Sequence, residues 1–238
     1  MSTIRPLDRK RFSEQIAENI REKILDEKLE TGHRLPTERA LAEELNVSRG
    51  VVREAMRMLD ASGFIDIKKG PRGGIFVNDV YHKPMSNSLR GLATHGRITV
   101  DHLFDVRLFI EPYMAAEAAR SAKKSDVAAL RALLADAEKH RDDPAYLKAK
   151  NIEFHLLLAD ASANPVLSIL MRSITEILLE IAYDFLNPAF EKELFVVHKE
   201  VLEAIAQHRV ERARKLVRED ILFVRRKLTE SLRARDSA

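Results

Sequence analysis

Asn151 and His155 stand four residues apart in AYLKAKNIEFHLLLADA, a spacing that puts both on one helical face with Leu147, Leu158 and Ser162. His198 interrupts a second apolar stripe, that of Phe195, Val201, Leu202 and Ile205, and Asp220 a third, in line with Leu216, Val217, Phe223 and Val224. Polar groups buried without partners cost several kcal/mol, of order 2–7, so these four must meet each other, a ligand or a metal. Two imidazoles, a carboxylate and an amide oxygen suit a divalent ion, zinc, nickel, manganese or iron(II), with coordination positions left open. Taken singly, each has a plainer reading as a hydrogen-bonded core residue or, for Asp220, a surface one. Both readings stand at this level.

A second set is basic. Ser48, Arg49, Gly50 and Arg53 fall at the start of a helical pattern and off its apolar stripe of Val51, Val52, Ala55, Met56 and Leu59. Ser48 is a suitable N-cap. Before it, Thr37 opens a shorter helix with Glu38 in its first turn and Leu41, Ala42 and Leu45 as its apolar face. After it, FIDIKKG alternates as a strand, GPRGG turns and IFV returns, a two-stranded wing tipped by Lys68, Lys69 and Arg72. From Ser48 to Gly74 there are six Lys/Arg against three Asp/Glu. A charge run alone is usually a solvated face, but a two-helix turn, an arginine-bearing second helix and a basic wing in that order make a winged helix-turn-helix, which places arginines in a DNA groove.

The elements that position these residues divide the chain. Residues 1–79 read as the winged domain, led in by a helix from about Arg11 to Lys28; 80–98, rich in turn formers and without sustained periodicity, read as a linker; 99–238 read as about six helices, with breaks at KKSD, RDDPA, ANPV, LNPAF and QHRVE. The expected fold class is mainly α: a winged helix-turn-helix with a two-stranded β wing joined to an all-α bundle. Its 238 residues can bury a substantial core. The net charge of +3 is too small to imply a nucleic-acid partner by itself. The absence of cysteine excludes disulfides, thiolate metal sites and a cysteine nucleophile. No signal-peptide core or uncharged apolar run of roughly 20 residues is present, so a cytoplasmic location and no membrane partner are expected.

The stretch LPTERALAEELNVSRGVVREAMRMLDASGFIDIKKGPRGGIFV resembles the DNA-binding domain of GntR-type bacterial transcription regulators almost throughout, most specifically in LPTER, VSR and VREA. The resemblance implies operator contacts from Arg39, Ser48, Arg49, Arg53, Lys69 and Gly70. Gly50 stands where the family often has a hydroxyl residue. The later segments RLFIEPYMAAEAA, NIEFHLLLADASANPVL, HKEVLEAI and ARKLVREDI look like the FCD effector domain of the FadR branch, extending the likeness to nearly the whole chain. That implies a metal held by Asn151, His155, His198 and Asp220. Aspartate replaces the usual third histidine, and an amide replaces the alternative carboxylate at the first position, which weakens or redirects metal preference.

Arg107, four residues before Glu111 and off the stripe of Leu103, Phe104, Leu108 and Ile110, reads from spacing as half of a surface ion pair. The FCD resemblance instead places it at the effector cavity, where a guanidinium grips a carboxylate. The expected function is therefore a homodimeric regulator whose operator affinity is set by a small organic acid. A ligand-independent DNA-binding protein with a purely structural helical domain and a metal-dependent hydrolase are the alternatives. The hydrolase lacks support: there is no HExxH, P-loop, GxGxxG or nucleophile elbow, and no additional carboxylate in the stripes has a clear claim as general base, so no enzyme is expected.

Overall fold

A computed structural model describes residues 9–71, 73–182 and 188–236. The chain separates into two compact units, Met1–Pro84 and Met85–Ala238. In the first, α1 (Arg9–Asp26) precedes β1 (Arg34–Leu35), α2 (Glu38–Glu44), α3 (Arg49–Ala61), β2 (Ile65–Lys68) and β3 (Gly74–Val77). The two short helices are set by local chemistry. Thr37 accepts from the Ala40 amide at 3.2 Å and Ser48 from the Val51 amide at 3.4 Å, each cap contributing about 1 kcal/mol. Asn46, with φ at 52°, turns the chain between them.

Val52, Ala55, Met56 and Leu59 of α3 are fully buried against Ile16, Ala17 and Ile24 of α1 and the sheet residues Ile65, Ile75 and Val77. Val51 is only partly buried, and Leu45, expected in the core, is exposed because α2 has already ended at Glu44. The expected two-stranded wing forms and gains a third strand. β2 and β3 pair antiparallel with Ile65 opposite Val77 and Lys68 opposite Gly74, and β1 pairs with the other edge of β3, so the sheet order is β1-β3-β2. A two-residue strand is too short to leave an alternation signal. Gly73 closes the hairpin, donating to the Gly70 carbonyl at 2.8 Å; a Cβ there would lie 2.4 Å from the Lys68 oxygen, so only glycine fits.

Residues 83–94, inside the expected linker, form α4 (Lys83–Thr94). In the second unit its Arg90 donates from Nε to Glu180 at 2.8 Å, while Leu89 and Ala93 pack on a cluster that includes Leu103, Met114 and Ile174. Tertiary packing thus makes a helix of a sequence whose own propensity is weak. Six helices follow among the described residues, α5 (Val100–Ser121), α6 (Lys124–Lys139), α7 (Pro144–Ala161), α8 (Pro165–Ala182), α9 (Pro188–Ala206) and α10 (Val210–Asp236). α5 packs most extensively on α10, and α7 meets α5, α6, α8 and α9. Phe104, Leu130, Phe154, Leu158, Leu194 and Ile205 are buried in the shared core. The helical unit therefore directs one face each of α5, α7, α9 and α10 into a common interior.

Candidate functional site

Two groups of residues carry chemistry. In the first unit, Arg49 begins α3 directly after the Ser48 cap, and Arg53 follows one turn later; both are exposed. The helix start exposes amide donors and a partial positive charge, to which Arg49 adds a full one. Gly50 leaves open space at this end, since an added Cβ would meet only Ser48 Oγ at 3.8 Å. Arg39 is exposed on α2 and paired with Glu43 at 2.9 Å. At the wing tip Lys69 and Gly70 are exposed, Gly70 with φ at 103° and open space where a Cβ would stand. Arg72 lies outside the described residues. Arg34, which the sequence reading passed over, sits in β1 with Nη2 donating to the Gly73 carbonyl at 3.1 Å, adding a cation at the foot of the wing.

In the second unit, α7, α9 and α10 bring His155, His198 and Asp220 together, their nearest ligand atoms all within 4.8 Å of one another. His155 Nε2 is 3.5 Å and His198 Nε2 3.7 Å from Asp220 Oδ2. Neither separation makes a strong hydrogen bond. Both His198 nitrogens and both Asp220 oxygens are buried without a hydrogen-bond partner among the described residues. Burial, together with nearby His155, outweighs Asp220 and pushes the His198 imidazolium form down, so the ring is neutral and able to donate a lone pair. Phe154 stacks on His198 at 3.9 Å and Phe195 meets its edge, fixing the ring. Two buried imidazoles beside a carboxylate, with orphaned polar atoms converging, fit a divalent cation. Asn151 is buried one turn before His155, and these two, unlike His198 and Asp220, line a cavity.

That cavity, about 50 Å³, is bounded by Phe104 and Arg107 of α5, Asn151 and His155 of α7, Met171 and Thr175 of α8, and Val224 and Leu228 of α10. Arg107 and Glu111 are not a surface pair. Both are buried, and Arg107 Nε donates to Glu111 Oε1 at 2.5 Å, its one hydrogen bond among the described residues. The buried face of α5 runs through Leu103, Arg107, Glu111, Met114 and Ala118, whereas Phe109 is 82% exposed. The expected stripe of Leu103, Phe104 and Ile110 is buried, with Leu108 partly so, but the buried face is wider than that stripe and takes in Arg107 and Glu111 as well.

Glu111 also supplies the carboxylate that the sequence reading did not find. Its Oε2 lies 2.6 Å from His155 Nδ1. Burial raises the Glu111 carboxyl, but Arg107 and His155 together outweigh it and hold it down at about 2. An acid so firmly ionised is a poor general base near neutral pH. It accepts a hydrogen bond from Arg107, while its Oε2 and the neighbouring His155 Nδ1 are both buried without a hydrogen-bond partner among the described residues.

Residues 102–222 match the FCD domain and residues 12–77 the bacterial regulatory proteins of the gntR family. The chain is a gntR-family regulatory protein with an FCD domain. It is 33% identical over 165 residues to the HTH-type transcriptional repressor NanR of Salmonella newport, a match that takes in 68% of this chain and 63% of the repressor. The chain thus spans just under two thirds of that relative's length. Among solved structures, Streptococcus agalactiae GntR is 27% identical, with a TM-score of 0.69 over 90% of this chain and 99% of that one. E. coli McbR/YncC, at 21% identity and a TM-score of 0.51, covers 93% of this chain and 98% of its own, a likeness of fold. No described helix of this regulator is long and apolar enough to cross a membrane.

Proposed function

We propose that this gntR-family protein is a cytoplasmic transcription regulator that binds operator DNA through α3 and the wing and changes its operator affinity when a small organic acid enters the helical unit. The observation that carries the effector reading is the cavity, where a buried guanidinium whose Nη groups make no hydrogen bond among the described residues shares walls with Asn151 and His155. A guanidinium presents a fork that matches a carboxylate. The volume favours a compact acid, since about 50 Å³ corresponds to only about four water positions.

A divalent ion held by Asn151, His155, His198 and Asp220 would complete the site. Such an ion supplies Lewis acidity and open positions to which a carboxylate can bind. Arg107 grips one side of the effector, Phe104 and Met171 exclude water, and the imidazoles and Asp220 hold the opposing charge. The retained carboxylate and amide oxygens lean the set toward harder cations than three histidines would.

A homodimer matches two reading heads to a pseudo-palindromic operator, and effector binding shifts the population between head spacings that do and do not fit the half-sites. Support comes from α5, whose outer face exposes Val106, Phe109 and Tyr113 in helical register, an apolar stripe unusual for a face left in water. The test is a thermal-shift screen of small carboxylates, with and without zinc, nickel or manganese, followed by operator titration with each hit. A neutral or cationic metabolite as the sole effector would refute the reading.

A further inference from the structure

We propose that the wing grips operator DNA with its outer face as well as its tip, Arg34 of β1 and Lys68 of β2 each holding a backbone phosphate. The inference rests on the operator binding through the wing proposed above and adds the residues that anchor the wing to the duplex.

β3 lies between the two other strands, and side chains along it alternate between faces. Ile75 and Val77 are buried in the core of the unit, so Gly74 and Phe76 belong to the outer face. Phe76 stands opposite Arg34 on one side and Asp66 on the other, and Gly74 stands opposite Lys68, which places all of them on that face. Arg34 Cζ lies 6.0 Å and Lys68 Nζ 5.2 Å from the centre of the Phe76 ring. One aromatic ring thus steadies a cation from each neighbouring strand.

Gly74 makes room for the arginine. A Cβ there would lie 3.0 Å from Arg34 Nε and 3.3 Å from Phe76 Cε2; without it the guanidinium settles against β3, where Nη2 donates to the Gly73 carbonyl at 3.1 Å. That is the one hydrogen bond Arg34 makes among the described residues, and no carboxylate among them pairs with it. The remaining N–H groups of an already oriented fork suit a phosphate, which accepts from arginine in a bidentate fashion. Lys68 is exposed, and its Nζ stands 3.9 Å from Asp66, too far for a hydrogen bond, so exchanging that contact for a phosphate costs little. Lys69, next in the chain, and Gly70 form the exposed tip, so a polyanionic backbone that meets the tip meets the two cations as well.

The experiment uses the full chain and a duplex enriched from a random library on immobilised wild type, with a scrambled duplex of the same composition beside it. Fluorescence anisotropy gives the affinity for each across a range of potassium chloride concentrations. Arg34→Gln and Lys68→Gln are each expected to flatten the dependence of log affinity on log salt by about 0.9, and together by about 1.8. Each is expected to weaken both duplexes by the same factor, because a backbone contact carries no sequence information. Arg34→Lys keeps the charge and is expected to keep the wild-type slope. Both residues are exposed, so the variants should fold, which circular dichroism checks. If Arg34 only braces the hairpin, glutamine, which can still donate to Gly73, leaves the slope unchanged and the proposal is overturned while binding through α3 stands. A loss confined to the enriched duplex overturns it equally. Lys23→Gln makes the same charge change at an exposed position on α1 and should not alter the slope; an equal flattening there assigns the effect to net charge and removes the wing contacts. A wild type that enriches no duplex removes the operator reading and this inference together.

Discussion

Arg53 of α3 donates from Nε to both oxygens of Glu38 on α2, at 3.4 and 3.1 Å, so this arginine is held in place by the helix before it. Arg39 is likewise paired with Glu43, while Arg49 makes no hydrogen bond or ion pair among the described residues. Exposed pairs of this kind contribute about 0–1 kcal/mol. On the proposed function, exchanging Glu38 for a base edge or phosphate would therefore cost little, and the carboxylate meanwhile limits the conformations open to Arg53.

Replacing Arg49 or Arg53 with alanine is expected to weaken operator binding by about 1–3 kcal/mol each if each reads a base edge. Both side chains are exposed, so the fold should survive. Operator affinity and circular dichroism measured together check this: unchanged affinity in a folded double variant removes α3 as the recognition helix.

The exposed stripe on α5 gives a second prediction. Light scattering at micromolar concentration should give a dimer, and Phe109→Glu combined with Tyr113→Glu should give a folded monomer with weakened binding to a two-half-site operator. A wild-type protein that stays monomeric with and without DNA counts against the dimer, and a dimeric double variant moves the interface elsewhere.

What the sequence disclosed depended on whether a signal was local. Thr37 and Ser48 cap their helices as read, because a cap and its amide lie three residues apart. His155, His198 and Asp220 were recognisable as intruders in apolar stripes, and the helices bring them together. β1 and α4 were missed because pairing and packing partners far along the chain make them. Arg107 and Glu111 were misplaced for a related reason. The stripe of Leu103, Phe104 and Ile110 is buried as read, but the buried face extends round to Arg107 and Glu111, and charged residues beside an apolar stripe give no local sign that they are enclosed. An i,i+4 ion pair reads the same in sequence whether water or a protein interior surrounds it.

The metal reading makes a third prediction. Purified protein should contain a divalent ion by elemental analysis and lose it to a chelator, because only two nitrogen ligands are available. Stability should then rise again with added metal, by about 2.7 kcal/mol at one hundred times the dissociation constant. Asp220→Ala should remove both the uptake and the stabilisation. If the wild type contains no metal and its melting temperature ignores zinc, nickel and manganese, the cluster is a structural network.

The effector prediction turns on how Arg107 divides its donors. Nε is committed to Glu111, which leaves the two Nη groups for a ligand in the cavity. A carboxylate there would meet the guanidinium on one side and the metal ligands on the other. Calorimetric titration with small carboxylates should show binding to wild type, and binding at least tenfold weaker to His198→Ala and to Arg107→Ala, about 1.4 kcal/mol each. The alanine at 107 also strands a buried Glu111 carboxylate, and breaking a buried pair costs about 3–5 kcal/mol of stability, so this variant can fail for reasons unrelated to the ligand. Arg107→Lys separates the two effects. It keeps a positive charge beside Glu111 but lacks the fork, and should preserve most of the melting temperature while losing most of the carboxylate affinity. Equal carboxylate binding by wild type, Arg107→Lys and His198→Ala would show that the acid is held elsewhere.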